Sequence, residues 1–444
     1  MASLSALAVV CCETLSSLLG DKVSFPGSPA YKESLASYFS IQAATVLPRC
    51  IVFPHTTEDV SIAVSSLTTA SVDEPTLEGR GCQFAVRSGG HGTSPGSSNI
   101  QDGVTIDLRS LNTIELSEDS STVSIGVGAT WDAVYSSLDT MGLSVAGGRA
   151  AGVGVGGLTL GGGISYFSPR YGWTCDTALG FSIVLANGSI TEVSANKNED
   201  LRFALRGGSN NFGIVTRVVL KTFEQGPLWS AMLYHPISTI EDQIQEFLSI
   251  ASANPYDEYA SFITTFAYSA PQGLTAVGNN LEAFRRMGVE ITLAATETMI
   301  RALYRIWNNS LDTVQGIEGL VWGVNLEPLP PAIYARAAET NALGLSDRKG
   351  TLIVVLLAVT WSNAADDEIV VEAARGLMAG IEKEARRLNA YDPFVYLNYA
   401  GQWQDPIASY GRDSLRRLQE ASQEVDPQGV FMFNVPGGFK IPSR

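Results

Sequence analysis

The chain of 444 residues holds three histidines, and one of them, His91, stands in the stretch AVRSGGHGTSPGSS (residues 85–98), flanked by Gly90 and Gly92. An imidazole there can cap a turn, bind a metal, act as a base or act as a nucleophile. His55 and His235 are distant in sequence, which gives a histidine metal cluster no support. Bare glycines beside the ring allow a flat ligand to approach it closely.

Two glycine-rich segments can wrap a phosphate group, residues 87–92 and 147–163, and a third reads RGGSNNFG at 206–213. Without Cβ atoms, successive backbone N–H groups can point into one concavity and hold an anion. The string GVGVGG (152–157) matches G-x-G-x-x-G, with Asp176 19 residues beyond Gly157. A dinucleotide site of that kind needs a strand before the motif and a helix after it. Here LSVAGGRAA precedes it and LTLGGGISY follows, so a Rossmann site is not expected.

The elements that must carry these segments are legible from periodicity. HTTEDVSIAVSSLTTA (55–70) reads as a capped helix, and CQFAVRS and GVTIDLRSL as short strands. STVSIGVGA alternates as a strand, and TWDAVYSSLDTMG follows as a helix capped by Thr130. FSIVLANGSITEVSA reads as a hairpin with Asn187-Gly188 as its two-residue turn, and FGIVTRVVLKTF as a further strand. Glycine thins after about residue 225, and longer helical patterns surround one apolar strand, TLIVVLLAVTW. These textures divide the chain into 1–225, a second domain over 226–389, and a return to the first domain over 390–444.

A net charge of −16 disfavours nucleic acid and anionic membranes as partners. No apolar run approaches the ~20 residues of a membrane span. The first twenty residues, MASLSALAVVCCETLSSLLG, lack a basic start and a clear cleavage site, so a first helix and a cytoplasmic protein are expected. Cys11, Cys12, Cys50, Cys82 and Cys175 form no CxxC motif, and their odd number leaves one free or paired between chains. Two N-x-S sequons, at Asn187 and Asn308, carry no meaning without secretion.

Four segments together, VRSGGHG, GVGVGGLTLGGGISYFSPRYGW, LRGGSNNFGIVT and YLNYAGQWQDPIASYG…VDPQGVFMFNVPGGFKIP, resemble the FAD-linked oxidases of the vanillyl-alcohol oxidase superfamily. The fungal form of the berberine-bridge-enzyme-like branch is the nearest likeness. The resemblance covers most of residues 10–225 and 390–444. It implies an α+β fold: a PCMH-type FAD-binding domain of two α+β subdomains, and a substrate domain with an antiparallel sheet backed by helices. It also implies that His91 bonds to the flavin 8α-methyl group.

On the same resemblance, Arg87, Ser88, Gly89, Gly90 and Gly92 line the FAD with Gly152, Val153, Gly156, Gly157, Gly161 and Gly162. Gly208, Asn211, Gly213, Ile214, Val215 and Asn434 complete that set. A second, cysteinyl tether found in many members is absent, since Ala150 takes its place. Val153 stands where members that react with dioxygen carry valine. Tyr396 and Asn398 match a Y-x-N motif near the substrate and share a strand face, with Tyr399 facing the other way.

Relatives also place a carboxylate or glutamine on a preceding strand. LIVVLLAVTW is apolar until Thr360, so no carboxylate base is expected and a tyrosine must serve. A free phenol titrates near pH 10 and would need help to ionise. The expected activity is oxidation of a small hydrophobic metabolite, with O2 reduced to H2O2, in natural-product biosynthesis by a monomer. A secreted carbohydrate oxidase, with Cys12 paired to Cys50 as in secreted relatives, and a flavin-fold cyclase without net redox are the alternatives.

Overall fold

The computed structural model describes residues 4–69, 82–270 and 285–442. The helix Leu4–Leu19 packs on the helix Thr57–Thr69. The first helix lies against a four-stranded sheet of β1 (Val23–Ser24), β2 (Cys50–Val52), β3 (Phe84–Arg87) and β4 (Val104–Asp107), in the order β1-β2-β4-β3. The β2, β4 and β3 ladders are parallel. That is why CIV and VTID are buried at every position rather than alternately.

Adjacent cysteines on the first helix are tied to two different strands: Cys11 to Cys82, just before β3, and Cys12 to Cys50, the first residue of β2. Cys175 is left as a buried free thiol. The N-terminal helix is thus cross-linked into the folded domain.

The next strands are β5 (Ile114–Leu116), β6 (Thr122–Gly126), β7 (Leu143–Ser144), β8 (Ala178–Val184), β9 (Ile190–Ser194), β10 (Ile214–Lys221) and β11 (Phe223–Glu224). Five of them form an antiparallel sheet in the order β5-β6-β10-β8-β9, while β7 and β11 make a ribbon. The β8–β9 turn is one residue longer than its Asn-Gly pair predicts. Leu185 pairs with Ser189 (N to O, 2.9 Å), and Gly188, at φ +80°, ends a three-residue loop of Ala186, Asn187 and Gly188. A type I turn followed by a left-handed residue is the usual three-residue solution.

The third sheet contains β12 (Thr264–Ser269), β13 (Arg285–Ala294), β14 (Val321–Leu329), β15 (Leu352–Trp361) and β16 (Tyr391–Asp392), antiparallel, in the order β12-β14-β15-β13-β16. Its two faces differ. Ile291, Leu293, Trp322, Val324, Val355 and Leu357 pack with Leu303, Trp307, Leu377 and Ile381 of the helices Glu297–Ser310 and Asp367–Arg387. The alternate positions, among them Glu290, Thr292, Asn325, Glu327, Val354 and Leu356, turn the other way. Residues 394–442 return to the first core, where Phe394, Tyr410, Phe431 and Ile441 are buried. The fold is the α+β architecture expected, with an antiparallel sheet backed by helices. Among the described residues, no helix is long and apolar enough to cross a membrane.

Candidate active site and cofactor cradle

The first two glycine segments meet backbone to backbone. A Cβ on Gly89 would lie 2.5 Å from the Gly154 nitrogen, and one on Gly156 would lie 3.2 Å from the Ser88 hydroxyl oxygen. Ser88 locks the junction: its hydroxyl donates to the Val127 carbonyl (2.6 Å) and accepts from the Gly156 N–H (3.2 Å). Among the described residues, the amides of Gly89, Gly90 and Gly92 donate to no protein acceptor, and a Cβ on Gly157 would enter open space. Unspent N–H groups beside open space suit a diphosphate. The helix absent from the sequence reading does exist: Val155–Leu160, one and a half turns, ended by Gly161. The Rossmann acid is absent, because Asp176 is spent on Asn341 and the Trp173 N–H.

His91 lies at the edge of this cradle, with its Cδ2 3.8 Å from where a Gly152 Cβ would be. The Phe39 ring stacks on the imidazole, and the Phe39 N–H donates to the Gly90 carbonyl (3.1 Å). Burial, with the Arg286 charge nearby, lowers the imidazole to about 4. The ring is therefore neutral at neutral pH, the form with a nucleophilic nitrogen.

Tyr396 and Asn398 close on the far end of the second glycine segment. The Tyr396 hydroxyl accepts from the Ile164 N–H (3.0 Å) and from Asn398 Nδ2 (3.0 Å), and Asn398 also donates to the Leu158 carbonyl (3.0 Å). Burial pushes the Tyr396 phenol well above its ordinary value. The expected strand is not there. Leu397–Tyr399 is a 3₁₀ turn, closed by the Tyr399 N–H on the Tyr396 carbonyl (3.0 Å). Residues three apart eclipse in such a turn, so Tyr399 comes round to the side of Tyr396, with ring centroids 4.9 Å apart.

That placement brings Tyr399 to a carboxylate. Its hydroxyl donates to Glu327 Oε1 (3.0 Å), and Arg149 Nη2 reaches both Glu327 oxygens (2.9 and 2.8 Å) and the Tyr399 oxygen (2.6 Å). Glu327 is 5% exposed. It sits on β14, directly beside Val354 of the apolar strand that was expected to hold the site. The expectation of no carboxylate is thus corrected, because the acid comes from the neighbouring strand of the pair. Sequence reading missed both Glu327 and Arg149. A lone charge in the glycine run GGRAA was the only local signal for Arg149.

A second carboxylic acid, Glu290 on β13, is fully buried. It accepts from the Thr292 hydroxyl (2.6 Å) and from the Tyr396 N–H (3.2 Å), and burial raises it to about 8. It is protonated at neutral pH and fixes the Tyr396 backbone.

Other expected cofactor residues sit behind the cradle. Arg87 is wholly buried: it donates to Ser34 and Ser37, stacks over Tyr38 at 3.8 Å, and braces the loop from below rather than facing a ligand. Asn211 donates to the Gly208 and Phe439 carbonyls (2.8 and 3.0 Å), tying the third glycine segment to the C-terminus. Gly213 is at φ +153°, and Ile214 and Val215 pair with Val184 and Ile183 in the core. The Asn434 carbonyl accepts from the Phe84 N–H (2.8 Å). Val153 is half-buried and accepts from Trp131 through its carbonyl (3.0 Å). Ala150 stands where a cysteinyl tether would need its thiol.

Residues 48–194 match the FAD binding domain family. The FAD-dependent monooxygenase sdcF of Emericella nidulans is 35% identical, over 99% of this chain and 99% of that protein. The chain belongs to the FAD-dependent oxidoreductases that include fungal monooxygenases such as this one. In this FAD-dependent oxidoreductase the Arg149–Glu327–Tyr399 cluster adjoins the second glycine segment, which supplies Arg149 and whose Leu158 carbonyl, with the Ile164 N–H just beyond, engages Asn398 and Tyr396. A protein called Oligopeptidase PhomG' from Diaporthe leptostromiformis is 41% identical over 97% of this chain, which spans 37% of that protein's length. Among solved structures, the xylooligosaccharide oxidase of Myceliophthora thermophila superposes at a TM-score of 0.76 with 19% identity, covering 99% of this chain and all of that one. That likeness shows the fold shared by this FAD-linked oxidoreductase.

Proposed function

We propose that the protein is an oxidase, tethered to FAD once through His91, that removes a hydride and a proton from a small hydrophobic metabolite and passes the electrons to O2, giving H2O2. The observation that carries this reading is the Arg149–Glu327–Tyr399 cluster, which lies beside a glycine cradle with unspent amides. FAD, when bound, supplies the hydride acceptor and the electron route to dioxygen.

The Gly89, Gly90 and Gly92 amides would hold the diphosphate, and the neutral His91 imidazole would offer its nitrogen to the flavin as the single tether. At the other end Tyr399 orients the substrate X–H group. Its oxygen takes the substrate proton as its own proton passes to Glu327, 3.0 Å away. Arg149 holds the carboxylate and the phenol oxygen in register. Tyr396, its oxygen engaged by Ile164 and Asn398, positions the loop rather than serving as the base.

Leu356, half-buried on the Glu290–Asn325 face of the sheet, suits an apolar substrate. Relatives named as monooxygenases from several fungi fit a role in secondary metabolism. The test is stoichiometry. One H2O2 per substrate oxidised, with no oxygen atom gained by the product, supports an oxidase; incorporation of ¹⁸O from O2 would support a monooxygenase.

A further inference from the structure

We propose that the Arg286 guanidinium anchors an anionic group of the substrate, so that the site takes a flat apolar molecule bearing a carboxylate. The proposal rests on the Tyr399–Glu327 cluster as the reacting centre and names the substrate class for that same site.

Arg286, on β13, is held in place but not used. Gln42 clamps its backbone (3.2 and 3.1 Å), and its guanidinium carbon lies 4.1 Å from the Phe39 ring centroid. Among the described residues the guanidinium donates to no acceptor, and its Nε is sealed from solvent without a partner. Burial lowers the group from the ordinary guanidinium value, and no neighbouring carboxylate offsets that cost. A sealed donor without an acceptor is costly and calls for an explanation. Stacking occupies a face of the guanidinium and leaves its in-plane N–H groups for an acceptor at its edge.

Strand register puts this group on the open side of the third sheet. Arg286, Gly288 and Glu290 alternate with the residues that pack on the helices. Along β15, Val355, Leu357 and Val359 are buried against those helices, whereas Leu356, Ala358 and Thr360 are half-exposed. Arg286 stands directly opposite Thr360, whose hydroxyl is a second donor, and Thr360 stands opposite Val321. Two residues further along, Gly288, Ala358, Gly323 and Ala267 align across four strands, with nothing larger than a methyl group. Beyond them lie Glu290, Leu356 and Asn325.

The rows that flank the small residues stand about 14 Å apart, so a shallow trough crosses the sheet between them. Its β13 end meets the reacting cluster, since a Cβ on Gly288 would lie 3.6 Å from the Tyr399 carbonyl oxygen. Glu327 lies on the same face, opposite Val354. The trough suits a flat ring system, Leu356, Ala358 and Val321 suit an apolar one, and Arg286 with Thr360 suits a carboxylate at its margin. A charge-assisted pair of that kind both binds and orients.

The test uses the FAD-loaded full chain and reads binding from the perturbed flavin absorbance, without turnover. The probes are 2-naphthoate, its neutral isostere 2-naphthamide, and acetate. We expect 2-naphthoate to bind roughly tenfold or more tightly than 2-naphthamide, and acetate to bind far more weakly than either. Arg286→Met should weaken 2-naphthoate roughly ten- to a hundredfold and leave 2-naphthamide unchanged, with Arg286→Lys recovering part of the loss. Thr360→Val should weaken 2-naphthoate severalfold, and it keeps the test open if Arg286→Met fails to fold. No response to 2-naphthoate, equal binding of naphthoate and naphthamide, or acetate binding as tightly as naphthoate overturns the proposal. So does an equal loss of both naphthalene probes in Arg286→Met, or lost FAD retention with the preference for naphthoate kept. Because no turnover is read, an ¹⁸O result against an oxidase leaves a positive binding result standing, and a failed anchor leaves the oxygen stoichiometry untouched.

Discussion

The Phe39 ring lies face to face on the His91 imidazole, with centroids 3.7 Å and planes 13° apart, and the Arg286 guanidinium sits 4.1 Å from the Phe39 centroid. The stack joins the first domain to β13, since Gln42, on the Phe39 side, clamps the Arg286 backbone through both amide atoms (3.2 and 3.1 Å). One ring thus fixes the imidazole plane and keeps water from it. Phe39→Ala is expected to slow covalent attachment of FAD on the order of tenfold, by loosening a nucleophile that must be aimed. His91→Ala should abolish attachment and leave FAD bound reversibly. Acid precipitation followed by mass measurement reads both. Retention of colour on the precipitated His91→Ala protein would refute the tether.

Because the folded imidazole titrates near 4, the unfolded chain binds more protons than the native one between pH 6.5 and 4. The His91 contribution to stability is therefore present above pH 6.5 and is lost as pH falls towards 4. In chemical-denaturation series on FAD-free protein, His91→Gln should flatten this acid limb.

Glu327→Gln is expected to lower the rate of flavin reduction roughly 10²- to 10⁴-fold, the usual worth of a general base. Tyr399→Phe should lower it too, and Tyr396→Phe should reduce FAD retention more than rate. Arg149→Met leaves a buried carboxylate without its cation, at a cost of about 3–5 kcal/mol in stability. Anaerobic stopped-flow separates these effects. Equal rates for Glu327→Gln and the parent would remove Glu327 from the chemistry.

What the sequence disclosed and what it concealed follow from distance along the chain. His91 and its glycines are contiguous, so their role in a cradle is written locally. The contact of Gly89 with Gly154 could be anticipated only as two segments of like composition. Glu327 was hidden because it reaches Tyr399 through strand register, 72 residues away in sequence, and an apolar neighbour strand drew attention first. Tyr399 was misplaced because YLNY reads equally as a strand or a turn, and the bond from Tyr399 to the Tyr396 carbonyl decides it. Cys11–Cys82 had no signal beyond two residues of the right type.

Cys11→Ser and Cys12→Ser open loops of 71 and 38 residues respectively. Loop-closure entropy assigns each bridge about 4 kcal/mol. Each variant should melt several degrees below the parent. The two losses should be additive or slightly more than additive, because the Cys12–Cys50 loop is nested inside the Cys11–Cys82 loop and, with one bridge open, the other closes a longer loop alone. Differential scanning fluorimetry with and without reductant checks this, and a parent indifferent to reductant under native and denaturing conditions alike would show the bridges absent.

Glu290 titrates near 8 in the fold and near 4.5 when exposed. Between those values the native state holds the extra proton, so stability falls as pH rises through the window. The loss should be on the order of a few kcal/mol between pH 5 and pH 9. Glu290→Gln keeps an acceptor for Thr292 and the Tyr396 N–H but cannot ionise, so its unfolding free energy should stay level over the same range. The crossing of the two curves is the signature. A parent no less stable at pH 9 than at pH 5, relative to Glu290→Gln, would mean that the carboxyl is already ionised in the fold, and the Tyr396 N–H would then be held by a charge rather than by a neutral acid.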